Sequence, residues 1–158
     1  MFGLARKSAA PNAASAVHLY FSEAAVIVAA THRNLDGIYF EQADATVRVA
    51  GLASAQELGR AFQAAFQSFS VTDVDLRDAK RTDWPAFKAS GARSVKQFEG
   101  EFRTVCCYSL NSSNAIVRAS TPHARSSEIE LSTSFNPLLS AEVVGAQLLR
   151  LLAAAKAT

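Results

Sequence analysis

The apolar positions of this chain change period along its length, and each change marks a predicted element. Residues 16–33, AVHLYFSEAAVIVAATHR, are rich in β-branched and aromatic residues with little alternation, which is typical of two strands buried on both faces. The turn NLDG at 34–37 then leads into GIYFE and TVRVAG, which are also strand-like. This first part of the chain therefore predicts strands joined by short turns.

A helical period follows in SAQELGRAFQAAFQSF, residues 54–69. Ser54 and Glu57 have the spacing of a capping box, which marks the start of the helix. Its apolar face would be formed by residues at helical spacing: Leu58, Phe62, Ala65, Phe66 and Phe69. A second helix, apolar over most of its circumference, is predicted in SAEVVGAQLLRLLAAAK, residues 140–156.

Between the two helices we predict a long connection, from about Val71 to Ser94, followed by strand-like segments. The segments are VKQFEGEF, RTVCCYSLN, AIVRAS and EIELSTSF, and NSSN at 111–114 is typical of a hairpin turn between the second and the third. Both faces of FRTVCCYSL are fairly apolar, which favours a central place in the sheet. Antiparallel strands with two helices predict an α+β single domain. We expect a mostly antiparallel sheet of about six to seven strands, with both amphipathic helices on one face or flanking it.

Two short motifs repeat within the chain. SAQELG at 54–59 and SAEVVG at 140–145 share Ser, Ala and Gly, and each opens a helix after a group of strands. The chain is therefore a candidate for two strands-then-helix halves related by a pseudo-twofold axis. The preference for serine at a helix N-cap would by itself also account for Ser54 and Ser140.

Composition changes this picture little. A length of 158 residues with 49% hydrophobic content suits one core, and we predict a flexible tail over residues 1–16 and a globular domain over 17–158. No apolar run suits a membrane span or a signal peptide, so we expect a cytoplasmic protein. The adjacent Cys106 and Cys107 would point to opposite faces of a strand, which favours free thiols in a reducing compartment.

The distribution of charge is more informative than its sum. The formal net charge of +2 is too small to indicate a nucleic-acid-binding protein. Residues 1–79 hold six Lys and Arg against eight Asp and Glu, whereas residues 80–158 hold ten against six. The sign changes abruptly between DVDLRDAK and KRTDWPAFKASGARSVK. This arrangement would steer a charged partner, or the two halves of the connection would pair with each other.

The stretch KRTDWPAFKASGARSVK, residues 80–96, contains the only tryptophan, Trp84. In one interpretation the ring folds back onto the sheet while the lysines and arginines stay solvated. In the other, Trp84 lies in a partner interface, where tryptophan and arginine are common hot spots. Stacking of Trp84 or Phe87 on nucleic-acid bases is a third possibility, which the low net charge disfavours.

Candidate chemistry is sparse. His18, His32 and His123 lack the spacing of metal ligands, and no known catalytic or phosphate-binding motif occurs. The carboxylate pairs Asp73/Asp75 and Glu128/Glu130 would each share a strand face, but a solvated surface is the commoner role for such pairs. We therefore predict no catalytic residue, no metal and no cofactor.

The order of motifs resembles one group of immunity proteins from bacterial contact-dependent growth inhibition (CDI) systems. The resemblance runs from Val17 to Leu152 and rests on LDGIYFE, the capped ELG helix, DLRDAKRTDWPAFKASGARSVKQFE, NSSNAIVRAS and FNPLLSAEVVGAQLLRLL. It implies a small, non-enzymatic cytosolic protein that binds a toxin domain, the C-terminal part of a large surface protein, and blocks its active site or access of its substrate.

For partner binding the candidates lie around the change of charge: Asp73, Asp75, Asp78, Lys80, Arg81, Trp84 and Lys88. Immunity proteins against nucleases are often acidic, whereas the sequence pI here is about 8.7. Three explanations stay open: the acidic patch is local, the toxin is not a basic nuclease, or binding avoids the active site. The alternative function is a small ligand-binding or enzymatic α+β domain.

Overall fold

The computed structural model describes residues 15–51, 53–74, 80–120 and 130–157. The strands are β1 (Ala16–Phe21), β2 (Ala25–Arg33), β3 (Tyr39–Ala50), β4 (Ser70–Val71), β5 (Arg103–Asn111), β6 (Asn114–Ser120) and β7 (Glu130–Phe135). The helices are α1 (Ala55–Gln67), α2 (Pro85–Ser90), α3 (Val95–Glu101) and α4 (Ala141–Ala157), and a 3-10 turn spans Arg81–Asp83. Residues 1–14 of the predicted tail lie outside the described residues, so the domain boundary stays a prediction.

The seven strands form one sheet in the order β3-β2-β1-β5-β6-β7, and β4 pairs with β2. Every neighbouring pair on this path is antiparallel. The central pair is β1 and β5, as the two apolar faces of the Cys106 segment predict. On each side of this pair the strands follow outwards in chain order, β1-β2-β3 on one side and β5-β6-β7 on the other. A helix follows the last strand of each side, α1 after β3 and α4 after β7. The α+β class and the strand number are therefore confirmed, and the pseudo-twofold relation of the two halves stays a prediction.

Helices α1 and α4 pack together on one face of the sheet. Ser54 and Glu57 form the predicted capping box, and Phe62, Phe66 and Leu148 join the core formed with the sheet. At the helix crossing, a Cβ on Gly59 would lie 1.7 Å from the Ala141 carbonyl oxygen, and a Cβ on Gly145 would lie 1.7 Å from that of Ala55. The repeated motifs thus supply both partners of a reciprocal contact that only glycine permits.

The opposite face of the sheet is covered over its first half by α2 and α3. Their apolar side chains form a second cluster with the strands, comprising Tyr20, Ala25, Ile27, Ala86, Phe98 and Phe102, with Trp84 and Phe87 packed against it. The prediction of a strand for VKQFEGEF was wrong, because most of it forms α3. Ser94 caps this helix by accepting a hydrogen bond from the Gln97 N–H at 3.1 Å, and Phe98 and Phe102 stand four residues apart, one helical turn.

Cys106 is exposed and Cys107 is buried, and both are free thiols, as predicted from their alternation on a strand. The turn at 112–113 joins β5 to β6, which confirms the predicted hairpin. No helix in the part of the chain that the structure describes is long and apolar enough to cross a bilayer.

Candidate functional site

An irregular stretch of β3 places Glu41 over the middle of the sheet. Ala29 of β2 pairs with Thr46 of β3, and Thr31 of β2 pairs with Glu41 of β3. Between these two pairs β2 advances by two residues and β3 by five, so β3 carries three extra residues. The resulting bulge is fixed by Gln42, whose amide donates to the Thr31 carbonyl at 2.9 Å and to the Ser68 carbonyl at 2.8 Å. Bulges of this kind redirect a side chain away from the regular alternation.

The Glu41 carboxylate reaches across β2 to β1. Its Oε1 accepts a hydrogen bond from the Tyr20 hydroxyl at 2.5 Å and lies 3.3 Å from His18 Nδ1. Its Oε2 accepts from the Ala86 N–H at 2.9 Å, and the Trp84 side chain helps to stabilise the charged carboxylate. Only 3% of the Glu41 side chain is exposed.

This carboxylate is held in its charged form. Burial by itself raises the pKa of Glu41, but the hydrogen bonds from His18, Tyr20 and the Ala86 N–H, together with the Trp84 side chain, outweigh burial and lower the pKa below its ordinary 4.5. Burial and the Glu41 charge together raise the pKa of Tyr20, which therefore remains a hydrogen-bond donor. The result is a buried and ionised carboxylate with hydrogen bonds to both oxygens.

Glu41 also completes the start of α2. Pro85 occupies the first turn of this helix, and Trp84 at the N-cap makes no side-chain cap hydrogen bond. Since the first N–H groups of a helix lack partners within it, an acceptor from elsewhere is needed. Glu41 supplies that acceptor from β3, and so it fastens the Trp84-Pro85 segment to the sheet.

A cleft of about 470 Å³ lies above this cluster. Its lining residues are His18, Tyr20, Tyr39, Phe40, Glu41, Ala43, Lys80, Asp83, Trp84 and Pro85. The Trp84 ring is half-buried and meets Tyr20 and Phe98 edge to face, with centroids 5.6 Å and 4.9 Å apart. Trp84 thus packs onto the sheet, as the structural interpretation predicts, and it also lines an open cleft.

The cluster is poorly suited to nucleophilic catalysis. Cys106 pairs with His18 across β1 and β5, but partial burial of the thiol and the Glu41 charge raise the pKa of Cys106. A nucleophilic cysteine requires the opposite shift, because the thiolate is the reactive form. The described residues contain no group of three or more side chains that could hold a metal ion.

Of the residues predicted to bind a partner, the structure brings Lys80 and Trp84 together in the cleft. Lys88 Nζ lies 3.4 Å from Asp83 Oδ1 in an exposed ion pair, and Asp73 is exposed after β4. Asp75 and Asp78 lie outside the described residues, as does the side chain of Arg81. Their role in partner binding stays a prediction.

The other candidate groups of the sequence lie apart from the cleft. His32 Nδ1 is 2.7 Å from Ser70 Oγ, and Glu130 forms an ion pair with Arg118 at 3.3 Å. His123 and Glu128 lie outside the described residues. The predicted pairs Asp73/Asp75 and Glu128/Glu130 therefore each have one member outside the described residues.

Sequence reasoning missed Glu41 as the centre of the site. Its partners His18 and Tyr20 are 23 and 21 positions away in the chain, and only strand pairing and the bulge bring them together. One signal was present, because a carboxylate inside the apolar segment GIYFE needs partners when that segment is buried.

Comparison with known proteins gives structural likeness alone. No protein-family model matches the chain, and no curated protein matches it. A protein of unknown function from Neisseria meningitidis, NMB0488, has a similar fold with a TM-score of 0.72 at 15% identity, over 93% of this chain and 98% of that one. A chain of the CdiA-CT/CdiI toxin and immunity complex from Yersinia pseudotuberculosis gives a TM-score of 0.68 at 11% identity, over 90% and 97%. At these identities the likeness concerns the fold.

Proposed function

We propose that this chain is an immunity protein of a contact-dependent growth inhibition system. It would bind its cognate toxin domain in the cytosol and neutralise it by stoichiometric binding, without turning over a substrate. The observation that carries this proposal is the fold shared, over nearly its whole length, with a chain of a toxin and immunity complex. The order of sequence motifs supports the same function independently.

The geometry of the cleft suits tight binding. Glu41 receives hydrogen bonds from groups on β1 and α2, so the elements around the cleft are held together before a partner arrives. Rigid sites lose less conformational entropy on association. A neutralising complex needs a dissociation constant in the nanomolar range or below, about −12 kcal/mol, and an interface of roughly 1,600 Å² in total.

The test is co-expression with the toxin domain encoded immediately upstream of this gene. We expect cells that carry both proteins to survive, and the two proteins to co-purify in a one-to-one complex. A toxin domain from a different system is the control, and it should remain toxic. If survival is no better with this protein than without it, and the two do not co-purify, the proposal fails.

A small-molecule-binding domain is the second candidate, because the cleft volume of about 470 Å³ lies within the range of ordinary ligand pockets. Native mass spectrometry of freshly purified protein separates the two candidates. A bound small molecule that is lost when Ala43 is replaced by Phe would favour this second function. A one-to-one mass with the toxin domain favours the first.

A further inference from the structure

We propose that the cleft above Glu41 is an anchor site for a basic side chain, best an arginine, of the protein partner. This inference rests on the proposed immunity function and specifies the chemistry of its interface. It combines a buried negative charge, aromatic walls and an accessible mouth in one place.

Among the described side chains, the negative charge at the floor of the cleft has no lysine or arginine in an ion pair with it. Among the basic side chains of the described residues, only His18 forms an ion pair with Glu41, and an imidazole is charged only when protonated. Asp83 adds a second carboxylate to the lining, and its own ion pair, with Lys88, is exposed to solvent. A charge in a partly desolvated cleft acts more strongly than one in water, so the cleft favours a cation from outside.

The walls have the composition that binds such cations. Tyr39 and Phe40 on β3 stand with Trp84 around the cleft. A guanidinium group within about 6 Å of an aromatic ring centroid is attracted to the ring face, and it is flat enough to stack there. The three donors already bound to Glu41 restrain the carboxylate, so its field would act on the cation without rearrangement.

The cleft adjoins an exposed apolar turn through Tyr39, which lines it. Tyr39 is 37% exposed, and its neighbours at the β2–β3 turn, Ile38 and Leu35, are 53% and 71% exposed. Large apolar side chains that surround a charged anchor exclude water from it, which is a common feature of hot spots at interfaces. The exposed turn and the cleft together therefore form one surface for a protein partner.

Lys80 is the group that opposes this assignment. It lines the cleft and is exposed, so Lys80 and His18 together would instead suit an acidic ligand. An acidic ligand would, however, enter towards the buried Glu41 carboxylate and be repelled by it. A lysine at the rim turns outwards on its long chain, where it fits an acidic group of the partner beside the anchored arginine.

Binding in the cleft can be followed by the fluorescence of Trp84, because it is the only tryptophan in the chain. The probe is the capped tripeptide Gly-Arg-Gly, titrated while Trp84 fluorescence is followed. Two matched probes replace arginine by citrulline, which has nearly the same shape without the charge, and by glutamate. We expect saturable binding of the arginine peptide, weakened about tenfold or more with citrulline and absent with glutamate.

Two variants locate the binding. Ala43→Phe places a ring in the cleft and should abolish the fluorescence response. Val47 lies on the same strand, is exposed and does not line the cleft. The control variant Val47→Phe should therefore leave the fluorescence response unchanged. Equal binding of the arginine and citrulline peptides, tighter binding of the glutamate peptide, or a response that survives Ala43→Phe would each overturn the proposal.

The same variants separate this proposal from the immunity function itself. If wild type protects cells against the toxin domain, Ala43→Phe should lower affinity for that domain at least tenfold, while Val47→Phe should not. If Ala43→Phe leaves protection unaffected, the proposal of an anchor site is wrong, whereas the proposed immunity function is not contradicted. If wild type gives no protection, the immunity function fails, and the peptide titration still decides whether the cleft prefers cations.

Discussion

At the scale of single residues, Glu41 links three parts of the fold through one carboxylate. From β3, its oxygens accept hydrogen bonds from Tyr20 on β1 and from Ala86 in α2. Removing the carboxylate would leave several buried donors without an acceptor. The cost of an unpaired buried donor exceeds the net gain from an ordinary hydrogen bond.

We therefore expect Glu41→Ala to lower the free energy of unfolding by about 2–4 kcal/mol. Asp44→Ala is the matched control, because Asp44 is an exposed carboxylate on the same strand and should change stability by no more than about 0.5 kcal/mol. Urea denaturation of the two variants and of wild type measures both values. Equal stabilities would show that the donors find other partners.

The pKa of Glu41 also predicts how stability depends on pH. A carboxyl group whose pKa is lowered in the folded state stabilises the fold above its unfolded pKa, and this contribution disappears as pH falls through the folded pKa. Since the pKa of Glu41 lies below its ordinary 4.5, wild type should lose stability on acidification below this value. Glu41→Gln should show a shallower loss in the same window, as measured by urea denaturation at each pH. Parallel curves would contradict an ionised Glu41.

At the scale of elements, the contact between α1 and α4 depends on two glycines. Gly59 and Gly145 let each helix approach the first residue of the other, and a Cβ at either position would overlap a backbone carbonyl. We expect Gly59→Ala and Gly145→Ala each to destabilise the fold by about 1–3 kcal/mol or more. Thermal melting and denaturant titration measure the change.

Gly100 provides the control for these substitutions. It lies within α3, and a Cβ there would meet nothing within 4 Å. Gly100→Ala should raise stability by about 0.5–1 kcal/mol through helix propensity alone. Destabilisation of similar size at all three positions would show that the close helix crossing is not the cause.

Local signals predicted most elements, and the misses have physical reasons. The capping box at Ser54 and the apolar period of α1 were sufficient, because both act within one helix. Helix α3 was predicted as a strand since valine and phenylalanine favour strands, although the serine cap and the spacing of Phe98 and Phe102 indicate a helix. The partners of Glu41 were not predicted, because only strand register and a bulge bring them together.

At the scale of the whole molecule, both negative and positive charges lie around the cleft. Glu41 is negative at the floor, whereas Lys80 at the rim and Lys88 nearby are positive and exposed. A partner that places a basic group in the cleft and acidic groups around it would match this arrangement. Complementary charges of this kind set association rate and specificity more than total affinity.

The combined charge reversal Lys80→Glu, Arg81→Glu and Lys88→Glu should therefore weaken binding of the cognate toxin domain without unfolding the protein. Because exposed charges such as those of Lys80 and Lys88 act mainly on the encounter, we expect the association rate to fall about tenfold or more at low salt, and the loss to shrink as salt is added. Surface plasmon resonance at two salt concentrations measures the rates, and thermal melting checks the fold.

The control reverses three exposed cations on α1 and α4, on the other side of the sheet: Arg60, Arg150 and Lys156. This variant changes the net charge by the same amount but leaves the surroundings of the cleft intact. If it slows association as much as the first variant does, the effect comes from net charge, and the basic rim of the cleft has no part in recognising the toxin domain. If only the first variant slows association, the partner meets the protein at the face that carries Trp84.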